Sequence, residues 1–383
     1  MPREDRKALI QQIEEVRDSR VLVYVTGDRA PAAAQIGDDA VRPMYSHLRE
    51  IGQVKKLDLF IYSRGGAIDV PWRVVTALRQ TSDEWNILVP FRANSAATLI
   101  ALGADTIVLG RQGELGPIDP IMTIQRMVPQ PGGGEALVQE QMSVEDIMAY
   151  TKFIHERAGL SDQEALSTAL SKLTDRLDAV GLGNVYRTHL HIRDVALRML
   201  QSHTKPASER TMAAIIETLA ERVYAHGHAI GLTEAKAIGL PVEPASDELD
   251  DLMWKLLDQY ESDMKLLQPL DPFTTVGASD LYSEDSVIAM IESSWAVHEH
   301  AGAIEVRARR QPTPNLNVAL NLNIQVPPNL SPQQQAALQQ VLQASQQQII
   351  QQAQQAVQEA LRDQSPLVGV DAAFRGGHWE KSD

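Results

Sequence analysis

Ser95 to Ala104 reads Ser-Ala-Ala-Thr-Leu-Ile-Ala-Leu-Gly-Ala, a helix with almost no polar face. Such a helix must be buried all round, so whatever flanks it must form a substantial core. The apolar run Trp85 to Pro90 precedes it as a strand, with Phe91-Arg92-Ala93-Asn94 as the turn, and Asp105 to Gly110 follows as a further strand. Upstream, the strand Leu57 to Tyr62 enters Ser63-Arg64-Gly65-Gly66 and then a helix over Asp69 to Thr81. The strand Val21 to Val25 and the helix Asp38 to Ile51 come before that, after an amphipathic helix over Glu4 to Arg17. This alternation predicts an α/β fold with a mainly parallel sheet and right-handed crossovers. Ligands of such sheets gather at the carboxyl ends of the strands, where Gly65, Gly66, Ser95 and the Asp119 turn all fall.

The glycine pair lacks Cβ atoms, so its backbone N–H groups can approach a ligand as half of an oxyanion hole; a plain strand-to-helix turn needs glycine equally. Ser95 at the helix start reads as an N-cap or as a nucleophile beside unpaired N–H groups. A serine at the mouth of a buried helix gives the second reading its weight.

The ordered set of motifs is more specific than any one of them. A Gly-Gly after a strand, Ser-Ala-Ala-Thr-Leu-Ile-Ala-Leu-Gly-Ala-Asp opening a helix, Leu115-Gly116-Pro117-Ile118-Asp119-Pro120, and Tyr224 to Leu240 as a closing helix-turn-helix resemble the ClpP/crotonase superfold. Within it the chain is most similar to the SppA-like serine dehydrogenase proteinases, over roughly Val21 to Val242. The resemblance implies a ClpP/crotonase-like core of repeated ββα/βα units and a serine peptidase in which Ser95 attacks a peptide carbonyl. The N–H groups of Gly66 and Ala96, with Gly65 beside them, would hold the oxyanion. Where the Clp pattern has a histidine this chain has Asp119, and no histidine occurs between Ser95 and His155. SppA-type enzymes use a lysine, and the first lysine after Ser95 is Lys152, which becomes the expected base with Asp119 lining or orienting. A lysine serves as base only if desolvation or nearby positive charge lowers its pKa. Two other readings share the fold: a crotonase-like acyl-CoA enzyme, which needs the N–H pair but not Ser95, and a non-catalytic oligomeric scaffold. No Gly-x-Gly-x-x-Gly fingerprint accompanies the word dehydrogenase, so no redox cofactor is expected.

A net charge of −15 repels phosphate backbones and anionic membranes, which argues against nucleic-acid binding. The absence of cysteine removes disulfides, thiolate metal sites and cysteine nucleophiles. No run approaches the roughly 20 apolar residues of a membrane span, and the charged amino terminus has no apolar core, so a cytoplasmic protein is expected. His189 and His191, two apart on a helix, point about 200° apart and cannot chelate one metal together, so no metal site is expected. No P-loop is present; an ATPase, if one feeds this protein, is a separate partner. The expected substrate is a short or unfolded polypeptide added as a strand along the Gly65-Gly66 edge.

Pro129, Pro131 and Gly132-Gly133-Gly134 make Met122 to Glu140 read as a loop over the site. Helices are expected over Ser143 to Ala158, with Ser143 as cap, and over Ser161 to Ala179, followed by a closing loop Gly181 to Arg187. The catalytic domain is expected over 1–245 and a helical connector over 246–280. Antiparallel strands Val287 to Val297, Ile304 to Ala308 and Asn317 to Val326 fill 281–330, a glutamine-rich helix 331–365, and a loose tail 366–383. Leu338, Leu342, Ser345, Ile349, Ala353, Val357 and Leu361 give that helix one largely apolar stripe, which together with the family resemblance implies a homo-oligomer.

Overall fold

Strands that are apolar at every position must be covered on both faces, and this chain supplies a separate set of helices for each. The computed structural model describes residues 3–129, 134–174, 177, 179–222, 227–277, 279–311 and 331–382. The chain opens with α1 (Arg3–Arg17), β1 (Arg20–Thr26), α2 (Val41–Ile51), β2 (Val54–Tyr62), α3 (Val70–Thr81), β3 (Ser82–Val89), β4 (Arg92–Ala93), α4 (Ala96–Ala101), β5 (Thr106–Leu109) and β6 (Glu114–Leu115). Next come β7 (Ile121–Pro129), β8 (Glu135–Ser143), α5 (Val144–Lys152), α6 (Gln163–Thr174), α7 (Ala179–Gln201), α8 (Glu209–Glu217), α9 (Leu232–Ile238), β9 (Val242–Pro244) and α10 (Asp247–Asp263). Last are α11 (Pro272–Val276), β10 (Leu281–Ser293), β11 (Val297–Arg310), α12 (Pro332–Gln364) and β12 (Leu367–Ser382).

The main sheet has the order β12-β11-β10-β1-β2-β3-β5-β9. From β1 to β9 it is parallel, and β10 joins β1 antiparallel, pairing Leu22 with Ser293 and Thr26 with Ala289. The period-2 alternation of a strand sorts the side chains. Leu22, Tyr24, Leu57, Leu59, Ile61, Trp85 and Ile87 pack under α2, α3, α4, α7 and α8. Val21, Val23, Val25, Phe60, Leu88 and Val108 face the other way, against Ile10 and Ile13 of α1 and Leu252, Leu256 and Tyr260 of α10. The expected α/β core with parallel strands is therefore present, and α4 is buried at all six positions.

The chain forms two compact units: Met1–Pro269 with Ser286–Gly302 and Gly376–Asp383, and Leu270–Asp285 with Ala303–Arg375. In the second, the Ala308 N–H donates to the Asp280 carbonyl, Arg310 pairs with Asp280, and the Gln311 N–H donates to the Pro366 carbonyl. Its helix α12 has no fully buried side chain among those described. Among the described residues no helix is long and apolar enough to cross a membrane.

Several local expectations change. Met122 to Glu140 is not a loop: β7 and β8 form a nine-pair hairpin from Ile121–Ser143 to Pro129–Glu135. Backbone pairing and the packing of Met122, Ile124 and Met142 beside Val144, Ile147 and Val185 outweigh the turn-prone composition. The glycine tip, 130–133, lies outside the described residues, as do Tyr224 to His226 and the segment Asn317 to Val326. Gly181 to Arg187 is the first part of α7 rather than a closing loop. The expected connector α10 instead covers the second face of the sheet. The expected tail is β12, where glycines and charges are tolerated because it is the outermost strand and needs ladder hydrogen bonds more than burial.

Candidate active site

Four short backbone stretches meet at the carboxyl ends of the strands. Ser63 bridges Ala93 in parallel, β4 pairs with β6 through Arg92–Glu114 and Ala93–Leu115, and Leu115 bridges Ile230 antiparallel. In order across this small sheet stand Ser63, Ala93, Leu115 and Ile230. The glycine pair continues from the first and Ser95 from the second.

Ser95 has φ 53 and ψ −114, a conformation that residues with a Cβ rarely adopt. It precedes α4 without capping it, since its side chain takes no hydrogen bond from the helix. Among the described residues its hydroxyl has no hydrogen-bond partner, and it is half-buried. Strain of this kind costs about 1–3 kcal/mol and persists only where surrounding contacts enforce it. Here Thr98, fully buried, enforces it: its hydroxyl lies 2.7 Å from the Ala93 carbonyl and 2.9 Å from that of Gly116, and accepts the Gly116 N–H at 3.1 Å. The Asn94 N–H is tied to the Ser63 carbonyl at 3.0 Å.

The glycines are required at these positions. A Cβ on Gly65 would lie 2.7 Å from the Asn94 carbonyl oxygen, 2.8 Å from Ser95 Cβ and 3.0 Å from the Ala96 nitrogen. The first glycine is thus packed directly on the Ser95 turn. A Cβ on Gly66 would meet the Ile36 backbone at 2.4 Å. The Gly65 N–H donates to Ser63 Oγ at 3.0 Å, and Thr26 donates to the same oxygen at 2.7 Å. The Gly65 carbonyl accepts from the Ile36 N–H at 2.8 Å. Because a peptide group is planar and trans, the Gly66 N–H points opposite to that carbonyl, away from Ile36. Among the described residues the N–H groups of Gly66 and Ala96 have no hydrogen-bond partner, whereas that of Gly65 is occupied.

Ile36 also takes the Ala67 N–H, at 2.9 Å. The edge along which a substrate strand was expected is therefore already paired on its Ile36 side. Sequence reading missed Thr26, Ser63 and Thr98, three hydroxyl groups bonded around the turn; the Ser63–Gly65 bond is local, but Thr26 reaches Ser63 and Thr98 reaches Gly116 across spacings that no local motif encodes.

Asp119 and Lys152 lie together, in a cleft of about 530 Å³ also lined by Ser143, Phe153, Glu221 and Arg222, but Ser95 does not line it. Asp119 is buried and accepts from Ser143 Oγ at 3.3 Å. Ser143 also caps α5, as expected, through the N–H groups of Glu145 and Asp146. Lys152 Nζ donates to Glu221 Oε2 at 2.5 Å, and that bond holds the ammonium above the ordinary lysine range despite some burial. Burial works to raise the Glu221 carboxyl, but hydrogen bonds from Lys152 and Arg193 bring it below the usual range. The base role expected for Lys152 needs a lowered pKa; as placed, it is an ion-paired cation. Among the described residues no group of acidic or histidine side chains is arranged to hold a metal ion.

Residues 3–151 match the sequence profile of the ClpP-like SDH-type serine proteinases. Two uncharacterized proteins of Methanocaldococcus jannaschii are similar to part of the chain. One is 34% identical over 95 residues, 23% of this chain and 33% of the relative; the other is 26% identical over 121 residues, 30% of this chain and 41% of the relative. The chain matches about a third to two fifths of the length of these relatives. Among solved structures, ClpP1 of Listeria monocytogenes and a point mutant of it each align over 62% of this chain and 99% of their own, at 12% identity and a TM-score of 0.31. The matched segment carries the parallel strands β1, β2, β3 and β5, both glycines, Ser95 and Asp119, so it is this part of the chain that is similar to the ClpP-like SDH-type serine proteinases.

Proposed function

We propose that the protein hydrolyses peptide bonds in short or unfolded polypeptides, with Ser95 as nucleophile and the N–H groups of Gly66 and Ala96 as the oxyanion hole. The observation that carries this reading is Ser95 itself, held at φ 53 against the Gly65 backbone with a hydroxyl that has no partner among the described residues. Ser95 Oγ forms a bond to the substrate carbonyl carbon, the carbonyl oxygen gains the negative charge, and the two N–H groups meet it. Collapse breaks the C–N bond and expels the amine; water then releases the acyl group from Ser95 and restores the hydroxyl. Asp119, buried and bonded to Ser143 Oγ, lines the cleft that holds Lys152. An acyl-CoA enzyme of the same fold would use the N–H pair and leave Ser95 idle.

The test is labelling of the purified protein by a fluorophosphonate together with hydrolysis of a fluorogenic peptide library. Labelling at Ser95 and loss of both signals in Ser95→Ala are the expected results. An active Ser95→Ala protein would remove the peptidase reading. We further propose that the chain acts as a homo-oligomer, supported by the exposed Val341 and Ile349 on α12, and that any ATP-driven unfolding that feeds it comes from a separate partner.

A further inference from the structure

Resting on the peptidase reading, we infer that Ser63 is the positioning residue of the oxyanion hole, its buried hydroxyl aiming the Gly66 N–H at the carbonyl that Ser95 attacks. Ser63 follows Tyr62, the last residue of β2, and is fully buried. Its backbone reaches one half of the site. The Ser63 N–H donates to the Arg92 carbonyl at 3.1 Å, and the Ser63 carbonyl accepts the N–H of Asn94, the neighbour of Ser95, at 3.0 Å. Its side chain reaches the other half, since Oγ accepts the Gly65 N–H at 3.0 Å. One residue is thus bonded both to the turn that carries Ser95 and to the glycine pair packed on that turn.

Gly65 stands at φ 107, and without a Cβ it sets no direction of its own on the peptide groups either side of it. Two hydrogen bonds set that direction instead. Ser63 Oγ holds the 64–65 peptide through the Gly65 N–H, and the Ile36 N–H holds the 65–66 peptide through the Gly65 carbonyl at 2.8 Å. A trans peptide then leaves the Gly66 N–H pointing away from Ile36, as an oxyanion donor must. Without the Ser63 hydroxyl the Gly65 N–H loses its partner, a cost that favours any rearrangement finding it a new one. The φ of Gly65, which links it to the donor peptide, is then no longer set from both ends.

Thr26 orients the hydroxyl in turn. It is buried at the carboxyl end of β1, and its Oγ1 donates to Ser63 Oγ at 2.7 Å. A β-branched side chain is stiff about χ1, so this donor is held in place, and Ser63 Oγ accepts the Thr26 O–H and the Gly65 N–H on its two lone pairs. The adjoining strand positions Val25 and Ile61 are apolar and fully buried. Two hydroxyls set beside them cost stability unless they are bonded, and the bond they make ends on the glycine pair. Thr98 holds the other flank of Ser95 through Ala93 and Gly116; the donor side depends on Ser63.

The experiment measures, in the full chain, kcat and KM for a fluorogenic peptide, inhibition by a peptide aldehyde whose serine adduct places an oxyanion between the N–H donors, and binding of the cleaved product peptide. Deleting an oxyanion donor costs about 10²- to 10³-fold in kcat, so misaiming one in Ser63→Ala should cost about 10- to 10²-fold with KM little changed. Aldehyde inhibition should weaken by the same factor while product binding holds, because the donor acts on charge that only the transition state develops. Thr26→Val should give a smaller loss of the same kind, and Thr26→Ser, which keeps the donor, should match the wild type. Ser82→Ala removes another buried hydroxyl, bonded to the Leu78 carbonyl at the amino end of β3, and should lower the urea midpoint with kcat unchanged. A folded Ser63→Ala protein with wild-type kcat would overturn this inference and leave the peptidase reading in place, as would equal losses of aldehyde and product binding. If Ser63→Ala does not fold, Thr26→Val decides on the same readouts. Absence of fluorophosphonate labelling at Ser95 in the wild type would overturn the peptidase reading, and this inference with it.

Discussion

Replacing Gly65 by alanine tests the coupling between the glycine pair and Ser95. The added methyl would sit 2.7 Å from the Asn94 carbonyl and 2.8 Å from Ser95 Cβ, where ordinary contact begins near 3.4 Å. Something must move by about 0.6–0.7 Å, and both neighbours belong to the turn that presents Ser95, the proposed nucleophile. Displacements approaching 1 Å at a reacting group cost up to about 10²-fold in rate. Gly65→Ala should therefore lower kcat by one to two orders of magnitude with KM nearly unchanged. Gly65 has φ 107, so alanine also suffers backbone strain of about 1–3 kcal/mol. Gly52→Ala separates the two effects: its φ is 68, so it is strained as well, but no atom lies within 4 Å of its Cβ position. Both variants should unfold at lower urea concentration; only Gly65→Ala should lose turnover. A Gly65→Ala protein with wild-type kcat would refute the packing of the oxyanion turn against Ser95 as the source of catalytic geometry.

Ser95→Gly should abolish hydrolysis yet raise the urea midpoint, because glycine relieves a strained φ at about 1 kcal/mol net gain; a midpoint below wild type would contradict the strain. Arg6→Met should destabilise by about 3–5 kcal/mol, since it leaves the fully buried Glu292 without the cation now 2.7 Å away; chemical denaturation reads the cost, and a neutral result would mean that Glu292 is neutral in the fold. Burial, reinforced by the neighbouring His298, pushes His47 down to about 3. The unfolded chain therefore binds a proton between that value and about 6.5 that the folded chain refuses, so stability falls as pH drops through this window. Denaturation midpoints of His47→Asn should depend less on pH over the same range, and an unchanged slope would exclude the group. Val341→Glu with Ile349→Glu on α12 should reduce the mass of the full chain in light scattering if that helix joins copies; an unchanged oligomer removes α12 from the interface.

The parallel core was legible because its signals are local. Apolar runs such as Val21 to Val25 and Leu57 to Tyr62 cannot be exposed on either face, and the polarity-free α4 can only be buried. The elements that misled are those whose stability comes from a distant partner. β12 carries Gly376, Gly377 and several charges, and nothing within its own sequence reports the β11 ladder it completes. The β7 and β8 strands are bounded by prolines and glycines that read as a loop, yet each residue of one is paired with a residue of the other.

The site divides along the same line. Gly65, Gly66 and Ser95 could be found because each sits where a strand ends and a helix begins, a place that sequence periodicity marks. Lys152 was chosen by order along the chain, and order says nothing of Glu221, 69 residues further on, which keeps it charged. A strained serine can be recognised from the turn that holds it; the charged groups around it are set by which distant elements the fold brings together, and order along the chain does not report that.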